Sequence, residues 1–164
     1  MIRLLLISFL LSFNNAFSQN LISAIKSNDI TLAKKLIKKG ESVNQRDTNG
    51  ATPLMWAVLK SDLKFCQHLV KKGADSKLKG VIYLDSTHAQ YYGNLLGICV
   101  MNEKYDILEW LVKHEKIDIN DREFNKEDNA ETGWIPIQFA VYTGSEAGID
   151  RLIKLGANVQ YVSV

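Results

Sequence analysis

The fold is decided by the stretch Gly50-Ala51-Thr52-Pro53-Leu54-Met55-Trp56-Ala57, which opens a pattern that recurs along this chain of 164 residues. Four markers define the pattern: Pro53, Ala57, Leu69 and Gly73. The last three recur 33 residues earlier as Ala24, Leu36 and Gly40, and all four recur 83 residues later as Pro136, Ala140, Leu152 and Gly156. A weaker unit lies between, offset by 42 residues, with Leu96, Cys99 and Leu111 at the equivalents of Leu54, Ala57 and Leu69. Four such units predict a solenoid, because each unit has an apolar face that only a neighbour can cover.

The second unit carries its own start and stop signals. Thr52 supplies a capping hydroxyl and Pro53 a first helical residue that needs no N–H, so we predict a helix from Pro53 to about Lys60. A second helix is predicted from Asp62, a capping carboxylate, to Lys72, with an apolar stripe at helical spacing. Gly73 should then end it in the left-handed conformation that glycine tolerates best.

This unit resembles an ankyrin repeat, through Asp47-Thr48-Asn49-Gly50-Ala51-Thr52-Pro53-Leu54-Met55-Trp56-Ala57 and Lys72-Gly73-Ala74-Asp75. Similar endings are Lys39-Gly40-Glu41-Ser42-Val43-Asn44 in the first unit and Leu155-Gly156-Ala157-Asn158-Val159 in the fourth. Met55 stands where the family usually has histidine, and the third unit has Asn94-Leu95 and His114-Glu115 in place of the landmarks. The resemblance implies an all-α ankyrin-repeat solenoid of helix-turn-helix units joined by β-hairpin-like finger loops.

The predicted domain spans residues 19–164, with repeats at about 19–46, 47–79, 92–120 and 130–160 and insertions at about 80–91 and 121–129. Insertions in a solenoid usually form loops on one face. The first insertion is rich in tyrosine, and the second is acidic and contains Phe124. Exposed aromatic side chains are good interface anchors, and packing against the third unit is an equal alternative. The tyrosines are Tyr83, Tyr91 and Tyr92.

The first 18 residues have the pattern of a secretory signal peptide. Arg3 provides the positive charge, residues 4–13 form an apolar run, and Ala16 and Ser18 are the small residues that precede cleavage. Ten apolar residues are too few to span a bilayer, which needs about 20. We therefore expect an exported protein, periplasmic or secreted, without membrane insertion after cleavage. A signal anchor or a buried N-terminal helix is the alternative.

Charge is distributed unevenly along the chain. Residues 26–79 hold twelve basic and five acidic residues, whereas residues 80–164 hold seven basic and thirteen acidic residues. Such a dipole can steer a charged partner, over about 8 Å at physiological salt. The lysine pairs at 34–35, 38–39 and 71–72 fall at the ends of second helices, where they favour the helix dipole. We prefer this interpretation to an anionic-surface patch and expect no nucleic-acid partner.

Cys66 and Cys99 fall at positions that the repeat pattern makes buried, on either side of the junction between units two and three. Because exported proteins fold in an oxidising environment, a disulfide between these two cysteines is one hypothesis. Each cysteine is also explained as a small core residue, since nothing in the sequence brings their Cα atoms within bonding reach. Two buried thiols are the favoured interpretation, and a bridge stays open.

Signals for catalysis are weak. The histidines, His68, His88 and His114, are spread along the array rather than gathered. No metalloprotease, nucleophile-elbow, phosphate-loop or dinucleotide-binding motif occurs. Asp85-Ser86-Thr87-His88 combines nucleophile and base types, but four consecutive loop residues do not define a catalytic geometry. We predict a protein that is not an enzyme, with no catalytic residues, cofactor or metal site.

The ankyrin resemblance implies a protein-binding module whose partner lies against the finger tips and first helices. Trp134 is the best anchor candidate, since a finger tryptophan should have no stacking role within its repeat; packing against the preceding insertion is the alternative. We predict an adaptor or inhibitor, or alternatively an immunity or accessory factor that stabilises a co-exported enzyme. A weak homodimer through the C-terminal repeat is also left open. The predicted contacts are Thr48, Asn49, Ala51, Leu59, Lys60, Tyr83, Tyr91, Glu131, Thr132, Trp134, Tyr142 and Thr143.

Overall fold

The computed structural model describes residues 20–83, 90–122 and 133–162, with the backbone alone at residues 83, 90–93, 161 and 162. The described chain contains eight α-helices, two strands and a 3₁₀ helix. The helices are α1 Leu21–Lys26, α2 Ile30–Lys38, α3 Pro53–Lys60, α4 Leu63–Lys71, α5 Leu95–Met101, α6 Tyr105–His114, α7 Pro136–Tyr142 and α8 Glu146–Lys154. The strands are β1 Gly80–Tyr83 and β2 Gln90–Gly93, and the 3₁₀ helix is Val159–Val162. The predicted signal segment and most of the acidic insertion lie outside the described residues.

The helices stack as an array of four pairs. Within each unit the first helix packs on the second, as in α1 with α2 and α3 with α4. First helices also pack on first helices of the next unit, from α1 through α3 and α5 to α7. Contacts between neighbouring units therefore build the fold, as a solenoid requires, and the all-α ankyrin architecture is confirmed.

The second unit folds as its sequence signals predict. The Thr52 hydroxyl accepts a hydrogen bond from the Met55 N–H at 3.3 Å, which caps α3, and the Asp62 carboxylate accepts one from the Phe65 N–H at 2.9 Å, which caps α4. Gly73 follows α4 with φ +93°, in the left-handed region. Both predicted helices and their stop signal are confirmed.

Asn94 explains how the third unit folds without the Thr-Pro landmark. Its side-chain oxygen accepts a hydrogen bond from the Gly97 N–H at 2.8 Å and caps α5. Its amide nitrogen donates to the Asp121 carbonyl at 2.8 Å, which ties the start of the repeat to its end. One buried asparagine thus replaces the threonine of the second unit and adds a link that threonine cannot make.

The core runs without a break through all four units. The marker leucines of the repeat face it, with Leu36 at 8% exposure and Leu69, Leu111 and Leu152 at 0%. Asparagine side chains add links between successive turns. Asn44 donates to the Gly73 carbonyl and accepts from the Asp75 N–H, both at 2.8 Å.

The first insertion is an antiparallel ribbon where a loop was expected. Strands β1 and β2 pair with Val81 opposite Tyr92, and β2 packs against α5. The Val81 N–H also donates to the Asn49 carbonyl at 3.2 Å, so the ribbon adds to the finger of the second unit. Gly80 permits this approach, because a Cβ atom there would overlap the Gly50 carbonyl and lie 2.9 Å from the Ala51 nitrogen.

The C-terminal end of the array is mostly covered. In the apolar stripe of α8, Leu152 is fully buried and Ile149 packs against the core. The 3₁₀ helix Val159–Val162 packs on α7 and closes the unit on that side. Within the stripe only Ile153 is largely exposed, at 47%.

Candidate protein-binding face

The predicted contacts of the second unit differ in their exposure. Thr48 and Lys60 are exposed, and Asn49 is half-buried. Leu59 is partly buried and packs against the core. Ala51 was predicted as a contact and this was wrong, since its side chain is 0% exposed. The physical reason is the ribbon, whose backbone at Gly80 lies directly against residues 50 and 51 and covers this part of the finger.

Asp47 holds the finger of the second unit in place, and the sequence analysis did not single it out. One carboxylate oxygen accepts hydrogen bonds from the N–H groups of Asn49 and Ala51, both at 3.0 Å. The other accepts from the indole Nε1 of Trp56 at 2.9 Å and from Lys26 Nζ at 3.3 Å. Lys26 Nζ in turn lies 4.1 Å from the centroid of the Trp56 ring. A single carboxylate thereby joins the first unit, the finger and α3.

An exposed aromatic cluster forms the most prominent apolar surface of the fourth unit. The Trp134 ring is 5.2 Å from that of Phe139 and 5.3 Å, edge-on, from that of Tyr142. Tyr142 is 73% exposed, Trp134 42% and the adjacent Val141 41%. The expectation that Trp134 has no stacking role within its repeat was wrong, because α7 begins two residues after it and turns Phe139 and Tyr142 towards its ring.

The remaining predicted contacts are divided between the surface and the part of the chain that is not described. Thr143 is exposed and follows α7 directly. Glu131 and Thr132 lie outside the described residues, as do Phe124 and the side chains of Tyr83, Tyr91 and Tyr92. Of the two proposed anchor groups, the structure therefore presents the tryptophan cluster and leaves the tyrosines of the ribbon untested.

An ion pair joins the residue that precedes the ribbon to the end of the third unit. Lys79 Nζ lies 2.9 Å from an Asp121 carboxylate oxygen and donates to the Arg122 carbonyl at 3.1 Å. Lys79 lies outside the helices, and its partner is a specific carboxylate near the end of the third unit. Lys35, Lys38 and Lys71 do lie in the last turns of α2 and α4, as the dipole interpretation predicts.

Cys66 and Cys99 are both fully buried and unbridged in the structure, in agreement with the favoured interpretation. Burial raises the pKa of the Cys66 thiol to about 12, and burial also raises the pKa of the Cys99 thiol well above its ordinary value. A thiol with so high a pKa is neutral at physiological pH and is a poor nucleophile. The two cysteines act as core residues.

The histidines do not assemble a site. His68 stacks on Phe65 at 6.2 Å between ring centroids, and its pKa is lowered by partial burial and then by the charges of Lys34, Lys72 and Lys71. His114 is exposed on α6, and His88 lies outside the described residues. In residues 20–83, 90–122 and 133–162, no three histidine, cysteine, aspartate or glutamate side chains are grouped so as to hold a metal ion.

None of the helices in the described ranges is both long and apolar enough to cross a bilayer.

Comparison with known proteins agrees with the geometry. A family model for ankyrin repeats in three copies matches residues 3–80 and 21–123. The chain is also 31% identical over 120 residues to alpha-latrotoxin-Lg1a from Latrodectus geometricus, a match that covers 73% of this chain and 8% of that protein. The chain belongs to the ankyrin-repeat family. It is a protein–protein interaction module of a family that is generally not enzymatic.

Proposed function

We propose that this protein is an exported adaptor or inhibitor that binds one protein partner through its finger loops and first helices. The observation that carries the proposal is the aromatic cluster, in which Trp134 and Tyr142 are exposed and Phe139 is half-buried beneath them. The residues that dominate binding energy at protein interfaces are enriched in tryptophan and tyrosine, which offer large contact areas with few rotatable bonds. A cluster that its own repeat already holds in place loses little further freedom on binding.

The finger of the second unit supplies the polar part of the proposed face. Thr48 is exposed there, and the four hydrogen bonds accepted by Asp47 fix the backbone that presents Thr48. Lys60 is exposed at the other end of α3. A rigid polar finger can select a partner with little conformational cost. Between the two regions α3 and α5 are largely buried. The first helices therefore contribute to the contact through their exposed C-terminal residues, Lys60 on α3 and Tyr142 on α7.

Substitution of the aromatic cluster tests the binding proposal. We expect a Trp134→Ala, Tyr142→Ala double variant to capture its partner at least about tenfold less efficiently, since hot-spot residues each contribute about 2 kcal/mol or more. Capture is measured by crosslinking in the cell envelope of the natural source, followed by mass spectrometry. Trp110→Ala is the matched control. Trp110 is a half-buried tryptophan on α6, the second helix of the third unit, where its ring stacks on that of His114 at 6.4 Å between centroids.

Equal loss of capture in the double variant and in the Trp110→Ala control would contradict the assignment of the face. The melting temperature of each variant shows whether a loss of capture is due to unfolding. Because Tyr142 is so exposed, its truncation should leave stability nearly unchanged. Crosslinking of the protein only to itself would replace the proposal by a homodimer, which the exposed Ile153 and Val159 could support.

Export is tested by the mass of the mature chain. The charge at Arg3, the apolar run at 4–13 and the small residues Ala16 and Ser18 support cleavage after Ser18. We expect the protein recovered from the envelope or medium to begin at Gln19. A chain recovered in full length from the cytoplasm would overturn the export proposal and leave the binding proposal standing.

A protective factor for a co-exported enzyme remains the second candidate, and capture of an enzyme whose half-life falls without this protein would favour it.

A further inference from the structure

A cleft of about 350 Å³ lies between units one and two, away from the aromatic cluster. Asn28, from the turn that joins α1 to α2, lines one side. Ser61 and Asp62, between α3 and α4, line the other. Its volume is near the lower end of the range of about 300–1,000 Å³ found for small-molecule sites. The cleft is therefore large enough for a small ligand.

The walls of the cleft are strongly cationic. Lys34, Lys60 and Lys64 line it, against one carboxylate, that of Asp62. The carboxylate is already engaged, since it accepts the Phe65 N–H at 2.9 Å as the cap of α4. Within the described residues, none of the three lysines forms a salt bridge. Positive charge that is concentrated in a concave site attracts anions more strongly than the same charge on an open surface.

Ser61 provides a second, independent observation. It lies in the same cleft, and its hydroxyl oxygen is buried and has no hydrogen-bond partner in the part of the chain that is described. Most buried polar atoms in folded proteins are paired, because an unpaired one loses its interactions with water and gains nothing. A hydroxyl can donate one hydrogen bond. In the conformation observed its oxygen is closed off from the cleft, so an anion would accept that bond after the Ser61 side chain rotates about χ1.

A fourth cation stands beside this serine. Lys104, in the third unit, places its Nζ 3.4 Å from the Ser61 carbonyl oxygen. The lysines at 38–39 and 71–72 differ from this set, since they lie at exposed helix ends and do not line this cleft. Lys34 of the first unit and Lys60 and Lys64 of the second line the cleft, and Lys104 lies next to it. Such a set of cations suits an anion with several oxygens better than a single carboxylate.

We propose that this cleft binds a tetrahedral oxyanion, phosphate or sulfate, with the ammonium groups of Lys34, Lys60 and Lys64 as cationic donors and the Ser61 hydroxyl as a neutral donor. Lysine binds phosphate as a compact charge with three rotatable N–H groups, which needs no fixed bidentate geometry. The oxyanion is either a free ion or an ester group on a larger molecule. Because the ligand would bridge the first two units, its binding should also stabilise the N-terminal end of the array.

The test is a titration of the purified protein with inorganic phosphate, against sodium chloride at equal ionic strength, followed by calorimetry and thermal unfolding. We expect phosphate to bind and to raise the melting temperature beyond the effect of chloride. Lys60→Met should weaken binding at least about tenfold, and Lys34→Met similarly. Lys72→Met removes the same charge outside the cleft and should change the affinity less than about twofold.

Ser61→Ala distinguishes binding at this cleft from a general attraction of anions to the lysines, because it leaves the charge of the protein unchanged. The hydroxyl has no partner to lose, so this variant should melt at the same temperature as the parent or higher without phosphate, and it should bind phosphate about threefold or more weakly. O-phosphoserine distinguishes the source: binding at least as tight as that of phosphate assigns the cleft to an ester group, and binding of phosphate alone assigns it to the free ion. Equal affinities in Lys60→Met and Lys72→Met, or equal effects of phosphate and chloride, would overturn the proposal.

Discussion

Replacement of Asp47 by alanine should lower the free energy of unfolding by about 3 kcal/mol, although the residue lies in a surface finger. Its carboxylate accepts hydrogen bonds from two finger N–H groups, from the Trp56 indole and from Lys26. Hydrogen bonds to a charged group contribute about 1.5–3 kcal/mol each when they are lost singly, and those that share one acceptor are not additive. Trp56 is 5% exposed, so its indole N–H would be left buried without an acceptor.

Urea denaturation followed by circular dichroism measures this loss. Thr48→Ala is the matched control, since it truncates the exposed neighbour and should cost less than about 0.5 kcal/mol. Asp47→Asn should fall between the two variants, because an amide oxygen can still accept the finger N–H groups of Asn49 and Ala51 while an amide nitrogen cannot accept from Trp56. If Asp47→Ala and Thr48→Ala unfold at the same urea concentration, the finger does not depend on this carboxylate.

The same carboxylate connects stability to the proposed function. The Asp47→Ala variant should unfold more easily and should also present Thr48 and Asn49 less precisely, because the bonds that fix their backbone are gone. The proposed polar contact and the aromatic cluster are thus supported in different ways. The finger depends on one partly buried carboxylate, and the cluster depends on contacts among three rings.

The second unit could be predicted from the sequence almost to the residue, because its signals are local. Thr52, Asp62 and Gly73 each act within three residues of their position, through a cap or a backbone conformation. The third unit could be placed only by the spacing of its apolar residues. Asn94 performs the capping there, and its second bond reaches Asp121, 27 residues away, which no local pattern reveals.

The candidate site was less predictable, because its exposure depends on contacts between distant segments. Ala51 is a contact position by family resemblance, but here the ribbon covers it through the approach of Gly80. Trp134 was correctly expected at the surface, whereas its contacts with Phe139 and Tyr142 were missed, since they cross the boundary between a finger and a helix. The cationic cleft combines Lys34 with residues of the next unit and was likewise invisible in a repeat-by-repeat comparison.

The marker leucines of the repeat permit a prediction about how stability is shared along the array. Leu111→Ala should lower the free energy of unfolding by about 3–4 kcal/mol, within the range of about 2–5 kcal/mol for a leucine in a packed core. Leu111 is 0% exposed on α6, which packs on α5 and α4. The same helix is joined to the fourth unit, because Tyr105 shares a 2.6 Å hydrogen bond with Ser145 and Glu109 pairs with Arg151 at 2.9 Å. A cavity at Leu111 should therefore weaken the packing of both neighbouring units.

Leu36→Ala removes the same side chain at the same repeat position of the first unit, which makes it the matched control. Leu36 is 8% exposed, and within the described residues its unit has a neighbour on one side only. We expect a cost of about 2 kcal/mol there, because less apolar surface returns to water and the end of the array can relax around the cavity. Urea denaturation of both variants decides the matter. In a solenoid each unit is stabilised mainly by its immediate neighbours, so the interior Leu111 should matter more than Leu36. A larger loss of unfolding free energy for Leu36→Ala than for Leu111→Ala would contradict this expectation and would mean that the first unit limits the stability of the fold.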